Sequence, residues 1–236
     1  MCGIIGFIGH SFNHHISHYL TSALFNISDS RGIDAAGFWA ASDNNICHYK
    51  EPIRTSQMIL NWQWQRLEHL NPYLFLGHAR AATQGNPKEN KNNQPFVSDN
   101  KKICLVHNGR VAEYEDLKQN YQLQSDCDSE VLLRIFESTQ QIADLFTMVS
   151  QGPSAGAIAS ADSKSLWLFR NEGRPLCLID LRESLGQIFF CSTLDIWLQV
   201  RQTDLSEKIY FVLENEAWYF KIEENIIVKR FNISYN

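Results

Sequence analysis

The sequence lacks the patterns that mark several large classes of protein. Cysteine occurs six times in 236 residues but never as a CxxC pair, so neither a disulfide framework nor a paired-thiolate metal site is indicated. There is no run of basic residues and the net charge is −5, which does not favour binding to nucleic acid or to a membrane surface. No apolar run approaches roughly 18 residues, and no signal peptide is evident. We therefore expect a cytoplasmic protein with reduced cysteines and without a nucleic-acid or membrane partner.

Signatures of cofactor enzymes are missing as well. The sequence has no phosphate-cradling glycine-rich loop, no metalloprotease helix and no dinucleotide fingerprint. His14 and His18 stand four residues apart on a predicted helix, a spacing that suits zinc, but no cysteine or carboxylate joins them nearby. An exposed helix face is the better interpretation of these histidines. We expect neither a metal nor a cofactor.

The spacing of apolar residues predicts a domain with both helices and strands. Helices and strands are each grouped along the chain, which favours an α+β layered fold over a parallel βαβ sheet. A polar stretch at 83–100 contains two prolines and predicts a long loop, and loops of that length are usually functional. Helices are predicted at 14–27, 55–70, 113–120 and 129–150. Strands are predicted at 2–8, 35–41, 45–50, 74–77, 102–107, 154–160, 165–170, 176–181, 188–191, 208–213, 217–222 and 226–231.

The first two residues carry the most informative chemistry. Cys2 directly follows the initiator Met1, and a small residue in this position permits removal of the methionine. Cys2 would then have a free α-amino group, with an ordinary pKa near ~8, beside its own thiol. Such an amine can act as the base for the nucleophile on the same residue. A cysteine at position two is by itself more often incidental, so the hypothesis depends on further residues.

Three further segments each allow a functional and an ordinary interpretation. Arg80 stands at the end of a predicted strand, where its guanidinium can hold a carboxylate bidentately or be a simple surface charge. Asn108 and Gly109 offer a side-chain amide and a backbone N–H as oxyanion donors, or form a hairpin turn. Asp128 can receive an ammonium group, or help to cap the helix that follows it. Only the set as a whole separates these alternatives.

Taken together, the segments resemble the class II glutamine amidotransferases, whose glutaminase domains open with Cys-Gly-Ile. The similarity is greatest to the glutaminase half of glucosamine-6-phosphate synthase. It spans about positions 2 to 200, and the ordered set is specific although each stretch alone is not. The matching stretches are CGIIG at 2–6, RGIDAAG at 31–37, GHARAATQG at 77–85, VHNG at 106–109, DSEV at 128–131 and RPL at 174–176.

The resemblance implies both a fold and a reaction. The fold is the four-layer αββα sandwich of the N-terminal-nucleophile (Ntn) hydrolases, with two stacked, mainly antiparallel sheets, in a single glutaminase domain over 2–236. In the implied reaction Cys2 attacks the side-chain amide of glutamine, with its α-amine as the base. Asn108 and Gly109 hold the oxyanion, Arg80 binds the α-carboxylate and Asp128 binds the α-ammonium group. Ammonia leaves, and water then releases glutamate from a γ-glutamyl thioester.

Three supporting residues and one partner follow from the same resemblance. Thr83 is expected to line the glutamine pocket, while Arg31 and Gly32 brace the loop near the nucleophile. Synthases of this family carry the ammonia-consuming domain on the same chain, and no such domain is expected here. The ammonia is therefore expected to pass to a separate synthase subunit. The residues do not specify the ammonia acceptor or the oligomeric state.

The sequence also departs from the family pattern, and two other functions stay open. The family motif often reads His-Thr-Arg-Trp-Ala-Thr-His-Gly, whereas Ala79, Ala81 and Gln84 replace its first Thr, its Trp and its second His. The lost Trp and His help to shape the pocket in the family. One alternative is therefore a stand-alone amidohydrolase for another γ-glutamyl amide. The other is a non-catalytic relative used for binding or regulation, which the intact set of site residues does not favour.

Overall fold

Two antiparallel sheets form the centre of the molecule. The computed structural model describes residues 1–148 and 152–233, apart from the side chains of residues 147 and 148. The strands are β1 Gly3–Ile8, β2 Ala35–Ala41, β3 Ile46–Glu51, β4 Leu74–Arg80, β5 Phe96–Val97, β6 Ile103–Gly109, β7 Ser154–Ser160, β8 Ser165–Arg170, β9 Cys177–Leu181, β10 Gln187–Cys191, β11 Lys208–Phe211, β12 Glu216–Ile222 and β13 Ile226–Asn232. The helices are α1 His14–Ile27, α2 Thr55–Met58, α3 Trp62–Leu70, α4 Tyr114–Lys118, α5 Glu130–Thr139, α6 Ile142–Met148, α7 Arg182–Leu185 and α8 Leu194–Leu198.

The strand order places β1 and β6 inside their sheets. The first sheet has the order β11-β9-β10-β1-β4-β2-β3 and the second has the order β13-β12-β8-β7-β6-β5. Each strand pair with an assigned register is antiparallel. Because β1 pairs with β4 from Gly3 onward and with β10 from Ile5 onward, the residue that precedes it is held at the end of a central strand.

Three apolar layers hold the two sheets and the helices together. The layer between the sheets joins Ile4 and Leu76 of the first sheet to Val106 of the second. Alternate side chains of a strand point to opposite faces, so the neighbouring Ile5 packs outward, together with Leu20 of α1. On the far side of the second sheet, α5 and α6 cover a further layer. This helix–sheet–sheet–helix arrangement confirms the predicted αββα sandwich.

Two predicted long helices are each divided in the structure. The predicted helix at 55–70 ends at Met58 and begins again at Trp62, because the side chain of Asn61 accepts a hydrogen bond from Gln63 N and caps a new helix. The predicted helix at 129–150 is interrupted at Gln140, where φ is 57°. The predicted end of that helix, at 149–150, lies outside the described residues. In both segments the helical spacing of apolar residues continues across the interruption, so this spacing does not predict where the helix ends.

Strands β4 and β6 run three and two residues further than predicted, and both extensions reach the candidate site. Strand β4 continues to Arg80 and β6 continues to Gly109. Asn108 and Gly109 pair with Ala155 and Ser154 of β7, so they lie in a strand and the hairpin-turn interpretation is wrong. The predicted loop at 83–100 also contains the two-residue strand β5. Of the described helices, none is long and apolar enough to cross a membrane.

Candidate active site

Cys2 lies at the open end of the first sheet, just before the central strand β1. The next residue, Gly3, pairs with Ala79 of β4, which brings the end of β4 beside the cysteine. The backbone N–H of Ala81 donates a hydrogen bond to Cys2 Sγ at 3.4 Å, and the thiol lies 3.5 Å from Ala81 O. Cys2 is half-buried. Its sulfur is therefore held by the backbone of Ala81.

Three charged groups influence the pKa of the Cys2 thiol. Burial raises the pKa of the Cys2 thiol, whereas the Ala81 N–H, the N-terminal ammonium group and Arg80 oppose this rise and Asp128 adds to it. The structure thus brings Arg80 and Asp128, which are 48 positions apart in the sequence, within electrostatic reach of one thiol. A thiol in this setting is protonated at rest and needs a base before it can attack.

Arg31 contacts the backbone of Cys2, and Gly32 lies against the backbone at the end of β4. Arg31 Nε donates to Cys2 O at 3.4 Å. A β-carbon on Gly32 would lie 2.3 Å from the carbonyl carbon of Arg80 and 2.5 Å from Ala81 N, so only glycine lets this segment approach the end of β4. Arg174 Nη1 lies 3.1 Å from Met1 Sδ. Burial and the positive charge of Arg174 lower the pKa of Arg31.

Arg80 is buried and holds the loop that follows it. Its Nη1 donates to Asn93 Oδ1 at 2.6 Å, and its Nη2 donates to the carbonyls of Gln84 at 2.5 Å and Gly85 at 3.0 Å. With 2% of its surface exposed, Arg80 is not the surface charge of the ordinary interpretation. A guanidinium has five N–H donors, and three of them are used by the described residues.

Asn108 presents an unused donor at the end of β6. The residue is 2% exposed, and among the described residues its Nδ2 has no hydrogen-bond partner. A buried amide without a partner is costly and rare. At the neighbouring Gly109, a β-carbon would lie 2.3 Å from Pro153 O, which excludes a side chain at this position. This end of β6 therefore combines a buried, unpartnered amide donor with a backbone position that only glycine can occupy.

Asp128 is a buried carboxylate held by neutral donors. Its Oδ2 accepts a hydrogen bond from Val111 N at 2.8 Å, and its Oδ1 lies 3.4 Å from Ser129 Oγ. Within the described part of the chain no Lys, Arg or His side chain forms an ion pair with it. Ser129 Oγ contacts His107 Nδ1 at 2.9 Å and makes no cap bond to helix α5. The helix-capping interpretation of this segment is therefore wrong.

Other predicted residues stand apart from this cluster. Thr83 is exposed in the loop two residues beyond Ala81. His14 and His18 lie on one side of α1 with ring centroids 6.4 Å apart. No group of three or more described His, Cys, Asp or Glu side chains is arranged to hold a metal ion.

Sequence reasoning missed the polar network beneath the site. Asn93 and Gln94 are buried at 0% and 3% exposure, although their setting in a polar loop predicts solvated side chains. Asn93 binds Arg80, while Gln94 binds the backbone of His107 in the other sheet. The only sequence feature that marks these residues is the run of amide side chains before Pro95. Burial is predicted from the spacing of apolar residues, so a run of amides does not indicate it.

Two histidines in this network are buried and uncharged. Burial lowers the pKa of His78 to about 3, and Arg80 adds to this effect. Burial also lowers the pKa of His107 to about 4, with Asp128 opposing and Arg174 adding to the shift. The ring nitrogens of His107 contact Ser129 Oγ at 2.9 Å and Ser154 Oγ at 2.7 Å. A neutral imidazole suits this position, because one nitrogen donates and the other accepts.

We expect acid to destabilise the fold through these two histidines. An unfolded chain takes up their protons near the ordinary value of 6.5, whereas the folded chain resists until about pH 4 for His107 and about pH 3 for His78. Their stabilising contribution is complete above pH 6.5 and is lost as the pH falls through this window. His78→Asn should reduce the slope of unfolding free energy against pH by about 1.4 kcal/mol per pH unit, as measured by urea unfolding. His69→Asn, at an exposed position of α3, is the control. Equal slopes for His78→Asn and wild type would contradict this assignment.

The architecture is that of the class II, Ntn-type glutamine amidotransferases. The chain aligns over its whole length with half of a solved chain described as the allosteric regulatory enzyme of purine biosynthesis, with a TM-score of 0.77 and 22% identity. It aligns equally with half of the glutamine phosphoribosylpyrophosphate amidotransferase of B. subtilis, solved with ADP and GMP, with a TM-score of 0.75 and 22% identity. These likenesses establish the fold.

Sequence comparison establishes the family. Residues 78–199, more than half of the chain, match the family described as glutamine amidotransferase domain, and the chain belongs to this family. It is 32% identical over 142 residues to the glutamine–fructose-6-phosphate aminotransferase of Sulfolobus acidocaldarius, across 58% of this chain and 23% of that protein. It is 29% identical over 194 residues to the enzyme of the same name from Staphylococcus aureus, across 75% of this chain and 30% of that one. The chain thus spans less than a third of these relatives.

Proposed function

We propose that the chain hydrolyses the side-chain amide of glutamine to glutamate and ammonia, with Cys2 as the N-terminal nucleophile. The observation that carries the proposal is that two side chains of opposite charge lie within electrostatic reach of the Cys2 sulfur. Arg80 and Asp128 are both buried and both act on this thiol. The α-carboxylate and α-ammonium groups of one amino acid are complementary to these two side chains. A substrate held in this way directs its side chain toward the sulfur.

Cys2 and its own amine carry the proposed covalent step. After removal of Met1, the α-amine takes the thiol proton, through a water if needed, and Sγ attacks the amide carbon. Asn108 Nδ2 and the Gly109 N–H stabilise the negative charge that forms on the amide oxygen. The amine then gives the proton to the leaving nitrogen, so ammonia departs and a γ-glutamyl thioester remains. Water attacks the thioester and releases glutamate, which restores the thiol.

Binding of the substrate backbone falls to the residues around this centre. Asp128 has no cationic partner among the described residues, so an arriving ammonium group compensates a buried charge. Three N–H donors of Arg80 hold the loop that contains Thr83, and we assign the two that have no acceptor among the described residues to the carboxylate. Arg31 and Gly32 keep the Cys2 backbone against the end of β4. We place Thr83 at the mouth of the pocket, where loop closure would bring it toward the substrate.

In our proposal the ammonia is used by a protein or domain other than residues 2–236. The relatives are named for transfer of an amino group to fructose 6-phosphate, so we propose that a synthase partner receives the ammonia made here. Residues 2–236 then act as the glutaminase domain alone. A glutaminase of this kind should release free ammonia when it is assayed without an acceptor.

A labelling experiment tests the nucleophile and the pocket together. Protein that begins at Cys2 is incubated with a diazoketone analogue of glutamine, and peptide mass spectrometry locates the adduct. We expect one adduct on Cys2, protection by glutamine, and no adduct in Cys2→Ala. In parallel, glutamine should give glutamate and ammonia in equal amounts. Hydrolysis of another γ-glutamyl amide in preference to glutamine would instead support a stand-alone amidohydrolase, and processed protein that neither reacts nor hydrolyses would support a non-catalytic relative.

A further inference from the structure

We propose that Gln94 is a positioning residue that sets the oxyanion donors, and that it links them to the Arg80 clamp through the adjacent Asn93. The inference rests on the proposed function and extends it to a residue that does not touch the substrate. Gln94 lies in the loop between β4 and β5, is 3% exposed and contacts both sheets.

The side chain of Gln94 replaces a missing piece of β-sheet. Strand β5 pairs Phe96 with Leu105 and Val97 with Cys104. Continued by two residues, this register would set Gln94 opposite His107. The backbone leaves the sheet before Phe96 instead, and the carbonyl of Pro95 lies 3.3 Å from both His48 Nε2 and Lys50 Nζ.

The two hydrogen bonds of a strand neighbour are kept through the side-chain amide. His107 N–H donates to Gln94 Oε1 at 2.7 Å, and Gln94 Nε2 donates to His107 O at 3.1 Å. The carbonyl of His107 and the N–H of Asn108 belong to one planar peptide unit. A fixed His107 carbonyl therefore fixes the plane from which Asn108 projects its unpartnered Nδ2. His78 Nε2 also contacts this carbonyl, at 3.2 Å, so Gln94 shares the task.

The adjacent residue connects the same loop to the other half of the site. Asn93 Oδ1 accepts from Arg80 Nη1 at 2.6 Å, and Asn93 Nδ2 donates to Pro87 O at 2.9 Å. The backbone between them is packed tightly, since a β-carbon on Gly37 of β2 would lie 2.2 Å from Gln94 O. Arg80 and Asn108 stand on different sheets, and two successive side chains hold them in one relative position.

Substitutions of Gln94 and of Asn93 should affect different kinetic constants. Gln94→Met keeps the shape and loses both bonds to His107, and we expect kcat for glutamine to fall about 10- to 100-fold with KM within about twofold. Gln94→Glu keeps only the acceptor and should not restore kcat. Asn93→Ala loosens the carboxylate clamp and should instead raise KM about tenfold or more. Rates are expressed per site titrated with the diazoketone, so a loss of folded protein does not count as a loss of kcat.

A second buried glutamine provides the matched control. Gln187 is 0% exposed and donates from Nε2 to Gly9 O at 3.0 Å, beyond the other end of β1. Gln187→Met should lower the melting temperature but leave kcat per titrated site unchanged. Equal kcat values for Gln94→Met and wild type, or equal losses in Gln94→Met and Gln187→Met, would overturn the positioning role.

Hydrogen exchange tests the same geometry without catalysis. In wild type the His107 amide should be protected, and in Gln94→Met it should exchange at least about tenfold faster, as measured by NMR. In Gln187→Met the exchange of this amide should not change. A wild type that fails to hydrolyse glutamine would reject the proposed function, whereas unchanged His107 exchange in Gln94→Met would reject the role of Gln94.

Discussion

Cys2→Ala is expected to lower kcat for glutamine hydrolysis at least about 10³-fold, to the level of the background reaction. In the proposed mechanism this sulfur forms the γ-glutamyl thioester. Cys127 also lies near Arg80 and Asp128, but it is buried and has no α-amine of its own. Of the remaining five, Cys104, Cys127, Cys177 and Cys191 are buried and Cys47 lies on the edge strand β3. The measurement is release of glutamate by protein shown by intact mass to begin at residue 2.

The base is tested separately by the length of the N-terminus. A chain that keeps Met1 retains the sulfur but turns the Cys2 amine into a peptide N–H, which cannot accept a proton. Its kcat should fall by about 10²- to 10⁴-fold, the usual contribution of a positioned base. Cys47→Ala is the matched control for loss of a half-buried thiol and should keep full activity. Equal activity with and without Met1 would show that another group removes the thiol proton.

Asn108→Ala is expected to lower kcat about 10²- to 10³-fold with little change in KM. Its Nδ2 is buried without a partner among the described residues, so the donor is already desolvated and aimed before charge develops on the amide oxygen. The interaction strengthens in the transition state, so its loss lowers kcat more than it weakens binding of glutamine.

Two further variants define the contribution of that donor. Asn108→Asp has the same shape but presents a carboxylate, which cannot donate while ionised and repels an oxyanion, so it should be at least as impaired as the alanine variant. Asn225→Ala, in the exposed turn between β12 and β13, should have wild-type kinetics. An Asn108→Ala enzyme with a normal kcat and a raised KM would assign this side chain to substrate binding instead.

The layered fold was predictable because it depends on repeated local patterns. The short apolar runs of β1 and β2, and the helical spacing of apolar residues in α1, extend over several residues, and each such residue contributes a similar burial energy. The divided helices were not predictable in the same way. A single left-handed residue at Gln140 or a single cap at Asn61 ends a helix without disturbing the apolar spacing on either side of it.

The candidate site also has a part that local sequence patterns predict and a part that they do not. Cys2, Arg80, Asn108, Gly109 and Asp128 could be predicted as site residues because each belongs to a short motif in a fixed order. Their ordinary interpretations, a surface charge, a hairpin turn and a helix cap, were rejected only by the burial of Arg80, the β6–β7 pairing and the contacts of Ser129. These facts depend on the approach of distant segments.

The sequence by itself determined the chemical groups of this protein: a thiol in second position, a guanidinium, a carboxylate and an amide, each in a recognisable segment. The tertiary structure decided which of them meet. It placed Asn93 and Gln94 beneath the site, where they hold Arg80 of one sheet and His107 of the other. The physical reason is that local patterns record burial and periodicity, whereas a hydrogen bond between two sheets depends on where their strand ends stop relative to one another.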